Sequence, residues 1–181
     1  MTAQFQTTTL GGGCFWCLEA AFEQLAGVVS VLPGYMGGQH LAPTYEAVCG
    51  GNTGHAEVVQ IQFDPGRIDF ETLLAVFFSI HDPTTLNRQG HDVGSQYRSA
   101  IFFHDAAQKA AAEALIARLT AEAVWAQPIV TEVLPAGPFF VAEEYHHQYF
   151  RRNPYQGYCQ AVVAPKALKV RAAFADRLKA S

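Results

Sequence analysis

Between the glycines at 11–13 and Gly27, the apolar residues Phe15, Leu18, Phe22 and Leu25 recur at helical spacing, which predicts a helix behind a short β-prone segment, Thr7 to Leu10. Val28 to Val31 read as a strand, and the stretch from Pro33 to Gly54 reads as a loop. Glu57 to Phe63 (EVVQIQF) alternate like a half-buried strand that Asp64, Pro65 and Gly66 end. Asp69 is a suitable N-cap for a helix carrying Phe70, Leu73, Leu74 and Phe77, stopped by His81, Asp82 and Pro83. After a polar loop to about Ser95, Tyr97 to Phe103 alternate as a strand. Asp105 with Gln108 gives a capping-box pattern opening an alanine-rich helix to about Ala123. Ile129 to Leu134 predict another strand, Glu143 to Arg152 a helix, and Asn153 to Gln160 a turn-rich return. Pro165 opens a last helix with Val170, Phe174 and Leu178 on one face. Strands mixed with crossing helices predict an α+β fold, a two-layer mixed β-sheet covered by helices with a long irregular C-terminal segment.

At 181 residues, without an internal repeat or a Pro/Ser-rich linker, the chain reads as one domain, 1–181, expected to act as a monomer. Half the residues are apolar and 15% are charged, enough to bury a core. A net charge of −4 leaves no basic face for a phosphate backbone, so nucleic acid is not an expected partner. Met1 to Leu10 lack a basic start and an apolar run, and no stretch reaches the ~18 apolar residues of a membrane span. The expectation is a cytoplasmic protein with no membrane association. Its four cysteines, at 14, 17, 49 and 159, are then more plausibly catalytic or redox groups than structural disulfides.

Cys14 lies between three glycines and a predicted helix, where unpaired backbone N–H groups and the helix dipole favour a thiolate. That makes it a candidate nucleophile, although a free cysteine is often a small buried hydrophobe. GGGCFWC has neither GxGxxG nor a P-loop lysine, so a phosphate cradle is not indicated. CxxC could be half a zinc site, but no second pair completes it, and no metal or cofactor is expected. Phe15 and Trp16, where a thioredoxin-like dithiol keeps small residues, suggest a pocket beside Cys14. Strand alternation puts Glu57 on the buried face with Val59, Ile61 and Phe63. Burial would raise its pKa and keep a proton available, unless it sits at a solvated strand tip.

Four separated motifs, GGGCFWCLEAAFEQLAGVVSVLPGYMGG, PTYEAVCGGNTGHAEVVQIQFDP, HDPTTLNRQGHDVGSQYRSAIF and EEYHHQYFRRNPYQGYC, together resemble the peptide methionine sulfoxide reductase A family from about residue 8 to about residue 166. The resemblance implies a ferredoxin-like α–β plait core. It also implies reduction of the S epimer of methionine sulfoxide, free or in proteins. Cys14 matches the nucleophile that attacks the sulfoxide sulfur, releases methionine and becomes a sulfenic acid. Phe15 and Trp16 match the aromatic wall for the substrate methyl. Glu57 matches the acid, Tyr45 and Tyr97 the hydroxyl donors to the sulfoxide oxygen, and Asp92 an aspartate that shapes the site.

His55 and His146 also match family positions, where a structural hydrogen bond is as good a reading as catalysis. Cys49 matches a non-catalytic position and reads as buried. The implied recycling cysteine is Cys159, on a turn-rich and mobile segment. Cys17, in place of a common glycine, is the competing candidate, and thioredoxin is the implied reductant of the disulfide. Two other classes compete: a general dithiol oxidoreductase using Cys14 and Cys17, and a zinc-stabilised binding module.

Overall fold

The threonine-rich start of the chain forms β1 (Gln6–Gly11), and a glycine turn delivers it to α1 (Phe15–Phe22). These elements come from a computed structural model that describes residues 4–180; the expectations for Met1 to Ala3 and Ser181 lie outside the described residues. There follow β2 (Val28–Met36), α2 (Tyr45–Cys49), β3 (Ala56–Phe63), α3 (Phe70–Ser79), β4 (Arg88–Gln89) and β5 (Asp92–Val93). The chain continues through β6 (Ala100–Phe103), α4 (Ala106–Ala121), β7 (Glu132–Pro135), β8 (Phe140–Val141), α5 (Tyr149–Arg152) and α6 (Ala164–Ala173).

Six strands make one mixed sheet in the order β7-β6-β1-β3-β2-β8, in which only β6 and β7 run parallel. β4 and β5 form a separate two-stranded ribbon. β3 sits between β1 and β2, with Leu10 opposite Val59 and Tyr35 opposite Glu57. Its side chains divide between two cores as the period of two requires. Val59, Ile61 and Phe63 join Leu10 and the apolar faces of α1 and α3, while Ala56 and Val58 join Met36, Ala100 and Phe102 beneath Ala136 and Phe139. The fold is therefore α+β, with a mixed sheet and covering helices.

Several boundaries differ from the sequence expectation. β2 does not stop at Val31. It runs through Pro33, which pairs with Val59 and whose carbonyl accepts from Ala142 N–H, on to Met36 and a turn at Gly37 (φ 94). A proline survives there because β2 has only the two-residue β8 on its outer side, so few ladder donors are needed. Tyr97 is not in a strand but closes a 3₁₀ turn over 95–97, set by Gly94 at φ 142. The helix expected over Glu143–Arg152 is broken by Gln148 at φ 53 into a turn over 144–146 and the four-residue α5. The turn-rich return ends early: the chain is helical from residue 157, with a π-helical turn over Cys159–Val163 leading into α6.

The predicted caps form. Asp69 accepts from Thr72 N–H at 2.7 Å, and Asp105 from Gln108 N–H at 2.8 Å, while the Gln108 amide oxygen accepts from His104 N–H at 3.0 Å. Asp105→Ala should lower unfolding stability by about 1 kcal/mol, read from the midpoint of a denaturant titration. An unchanged midpoint would show that packing alone starts α4.

Candidate active site

Gly13, at φ 96, turns the chain off β1 so that Cys14 becomes the N-cap of α1, in extended conformation (φ −64, ψ 129). No L side chain adopts the Gly13 conformation readily. Cys14 offers no side-chain cap, so the first amides of α1 find other partners. Phe15 N–H donates to Glu57 Oε1 at 3.2 Å. Glu57 reaches this point from the second residue of β3, 1% exposed, and its second oxygen, Oε2, is buried without a hydrogen-bond partner. Burial raises its pKa from 4.5 to about 8, against the lowering pull of the Phe15 amide, so it carries a proton at neutral pH.

The same burial acts on Cys14, which is 8% exposed. The helix N-terminus was expected to lower its pKa. Burial instead raises it well above the ordinary thiol value, helped by the hydrogen bond with Cys17 and the negative potential of Glu57, and the Trp16 amide does not offset this. Cys14 therefore rests as a thiol. Cys17, one turn into α1, shifts the other way, chiefly through its bond with Cys14 and then through Lys166 and Tyr158.

Two phenols stand over this pair. Tyr45 opens α2, which Thr44 caps by accepting from Ala47 N–H at 3.1 Å, and Tyr97 hangs from its 3₁₀ turn. Burial raises both pKa values, and Glu57 is the next cause for each, so both remain neutral donors beside the carboxyl. Tyr97 also senses Asp92 and Cys14. Asp92 accepts from the Tyr158 hydroxyl, and Tyr158 lies edge-on to Trp16 at 5.8 Å.

Phe15 is fully buried against Tyr35 (5.8 Å) and His146 (5.0 Å), while the half-buried Trp16 stacks on Tyr149 at 3.7 Å and 4°. Trp16 Nε1–H donates to His146 Nδ1 at 3.0 Å, which places the imidazole proton on Nε2. Burial lowers the His146 pKa to about 4, so the ring is neutral.

The structure thus brings Cys14, Glu57, Tyr45, Tyr97, Asp92, Phe15, Trp16 and Cys17 together. His55 stands apart in a structural role: Nδ1 accepts from Gly38 N–H (3.0 Å) and Nε2 donates to the His40 carbonyl (2.7 Å). Cys49, read as buried, is exposed, because it ends the five-residue α2 on the side away from Val48, the one buried residue of that helix. Cys159 was read as mobile. It is 0% exposed at the first residue of the π-helical turn, beside Cys17, and burial raises its pKa.

Sequence reasoning missed Glu143, whose carboxylate accepts from Tyr35 Oη–H and Tyr45 N–H, both at 2.9 Å, and so ties α2 to β2. It also missed Tyr149 and Tyr158. The tyrosines clustered in EEYHHQYFRRNPYQGYC were the available signal; nothing in the sequence singled out Glu143. Among the described residues, no group of three His, Cys, Asp or Glu side chains is arranged to hold a metal ion.

A family model described as peptide methionine sulfoxide reductase matches residues 6–178. The protein named peptide methionine sulfoxide reductase MsrA from Chromobacterium violaceum is 56% identical over 170 residues, covering 94% of this chain and 97% of its own. Among solved structures, Mxr1 from Saccharomyces cerevisiae in reduced form matches with TM-score 0.79 and 35% identity, over 88% of this chain and 91% of that one. Mxr1 in complex with Trx2 matches with TM-score 0.57 and 26% identity, over 81% and 87%. With a family model over nearly the whole chain and a relative 56% identical over 94% of it, the chain that carries this buried cysteine, carboxyl and two phenols belongs to the peptide methionine sulfoxide reductase family of oxidoreductases.

Proposed function

We propose that this protein reduces the S epimer of methionine sulfoxide, free and in proteins, to methionine, as a repair of oxidative damage. The observation that carries the reading is the unpartnered, buried Glu57 Oε2 beside the Cys14 thiol. A sulfoxide oxygen placed there takes hydrogen bonds from the Glu57 carboxyl and the Tyr45 and Tyr97 hydroxyls, which makes the sulfur electrophilic. Phe15 and Trp16 line the side that receives the methyl group.

The Cys14 sulfur attacks the sulfoxide sulfur as Glu57 protonates the oxygen, and the thiol proton replaces the one that Glu57 gave up. The oxygen then passes from the substrate sulfur to the Cys14 sulfur as the sulfur–sulfur bond of the adduct breaks, so that methionine leaves and Cys14 is left as a sulfenic acid. A second thiol condenses with the sulfenic acid, expelling water and forming a disulfide. The hydrogen bond between Cys14 and Cys17 favours Cys17 as the first resolving thiol, with Cys159 behind it. The pair occupies N-cap and N3 of α1, and Cys17 N–H donates to the Cys14 carbonyl at 3.1 Å. Thioredoxin is the proposed reductant of the disulfide, a reading supported by the likeness to Mxr1 in complex with Trx2. Asp92 acts by holding Tyr158.

The chain is read as one domain, 1–181, acting as a monomer in the cytoplasm, where free thiols persist. Its four central strands, β6-β1-β3-β2, are all antiparallel, with α1 between β1 and β2 and α3 between β3 and β6. They support the reading of a ferredoxin-like plait.

Glu57 is protonated below its raised pKa, so reduction by wild type should fall as pH rises through about 8. Glu57→Gln should be slower by roughly 10²-fold or more and lose that falling limb in a pH–rate profile. An unchanged rate would remove the acid role. Replacing Tyr45 and Tyr97 together by Phe should slow the chemical step by roughly 10²-fold, and wild-type turnover would contradict oxygen binding there.

Single-turnover reduction of an epimeric methyl sulfoxide mixture without external reductant, followed by thiol counting, tests the whole scheme. Only the S epimer should be consumed, with loss of two thiols in wild type and in Cys159→Ser. In Cys17→Ser a sulfenic acid should persist. Prompt loss of the second thiol in Cys17→Ser, but not in Cys159→Ser, would assign resolution to Cys159. Reduction of disulfides with no sulfoxide consumed would replace the proposal by a dithiol oxidoreductase.

A further inference from the structure

One cation beside the site has no part in the chemistry above. Arg98 follows Tyr97 directly, and its side chain is only 14% exposed. The guanidinium distributes its donors over three segments of the chain. Nη1 donates to the Ser95 carbonyl and Nη2 to the Gly54 carbonyl, each at 2.9 Å, and Nε donates to Glu132 Oε1 in β7, also at 2.9 Å. Nη2 also lies against Gly37, in the turn that ends β2, where a Cβ atom would come within 3.0 Å of it.

The segments joined in this way differ in rigidity. Gly54 leads into β3 two residues later, and β3 is hydrogen-bonded along both edges. The 3₁₀ turn that carries Tyr97 is three residues long and has no side-chain cap. Two backbone bonds close it, from Tyr97 N–H to the Gly94 carbonyl at 3.0 Å and from Arg98 N–H to the Ser95 carbonyl at 3.2 Å. So short a turn, with the poorer bond geometry of a 3₁₀ helix, is weak by itself. The two carbonyl bonds of the guanidinium therefore tie a weak element to a strong one. The ion pair contributes little beside them, because Glu132 is 44% exposed.

We infer that Arg98 is a positioning residue, whose planar fork clamps the turn of Tyr97 to the lead-in of β3 and so holds the Tyr97 hydroxyl in register with Glu57. This rests on the proposed function for what the phenol does, but the clamp itself can be tested without any reaction. Arg98 touches no reacting atom. The Tyr97 hydrogen bond strengthens as charge builds on the sulfoxide oxygen, so displacing the phenol weakens the transition state more than the bound substrate. The clamp acts on the rate of the chemical step and hardly on half-saturation.

The test follows amide exchange by NMR and single-turnover sulfoxide reduction in Arg98→Ala, Arg98→Lys and Glu132→Gln. In Arg98→Ala the amides of residues 97 and 98 should exchange about tenfold faster, while those of β3 and α4 keep their protection. The single-turnover rate at saturating sulfoxide should fall about tenfold, with the half-saturating concentration within about twofold. In a Tyr97→Phe background the same substitution should change the rate by less than about twofold, because clamp and phenol act as one unit. Lysine is a point donor that cannot serve both carbonyls, so Arg98→Lys should retain most of both defects. Glu132→Gln should behave as wild type. Unchanged exchange at residues 97 and 98, an equal rate loss with and without the Tyr97 hydroxyl, or full restoration by lysine would overturn the inference. So would loss of protection spread over β3 and α4, which would make Arg98 a general stabiliser, or the same losses in Glu132→Gln, which would assign the role to the ion pair. If Arg98→Ala fails to fold, the inference stands or falls on both measurements in Arg98→Lys. Absence of sulfoxide reduction in wild type would defeat the proposed function, while the exchange comparison would still decide whether Arg98 clamps the turn.

Discussion

A carboxyl group held out of water at the centre of the sheet governs the chemistry of this protein. Glu57 comes from β3, which is hydrogen-bonded along both edges, to β1 and to β2, and cannot swing toward solvent. One oxygen takes the Phe15 amide and the other is left without a partner. In that setting the charged form is disfavoured, and the side chain keeps its proton at neutral pH. The same amide bond pins the start of α1 over β3, so the group that supplies a proton also fixes the height of Cys14. Loss of a single buried acceptor would disturb acid and nucleophile together.

The remaining parts close around this core from distant segments of the chain. Glu143, just before the turn over 144–146, holds the start of α2 and the Tyr35 hydroxyl at once, and so sets Tyr45 over Glu57. Asp92 holds Tyr158, and Tyr149 covers Trp16. The site is thus a rigid half, made by β3 and α1, and a second half assembled from loops and short helices. Burial serves both, since it raises the phenols, the carboxyl and the Cys14 thiol alike. Cys14 at rest is accordingly a protonated nucleophile, whose activation is coupled to the proton that Glu57 gives away.

What could be read from the sequence was whatever is local and periodic. The alternation of Glu57 with Val59, Ile61 and Phe63 gave the correct buried face, and Asp69 and Asp105 marked the starts of α3 and α4. The glycine turn gave the position of Cys14, although not its acidity, because desolvation depends on what the tail lays over the turn. Long-range constraints were hidden. Pro33 reads as a breaker, yet an almost unpaired outer side lets β2 pass through it. Tyr97 reads as part of a strand until Gly94 is seen at φ 142, and the break at Gln148 appears only in its left-handed φ of 53, which no residue pattern in the sequence marks. Cys49 was misread because a five-residue helix has too few turns for a periodicity to show which side is buried.

The central claim is that Glu57 is uncharged in the resting enzyme at neutral pH. It is tested most directly by carbon NMR titration of the side-chain carboxyl carbons of the glutamate-labelled, reduced protein, with Glu57 assigned by difference against Glu57→Gln. The Glu57 resonance should keep the shift of a protonated acid through pH 7 and change with a midpoint near 8. A midpoint near the ordinary 4.5 would mean that the group is ionised at neutral pH, and the account of proton delivery to the sulfoxide oxygen would be wrong.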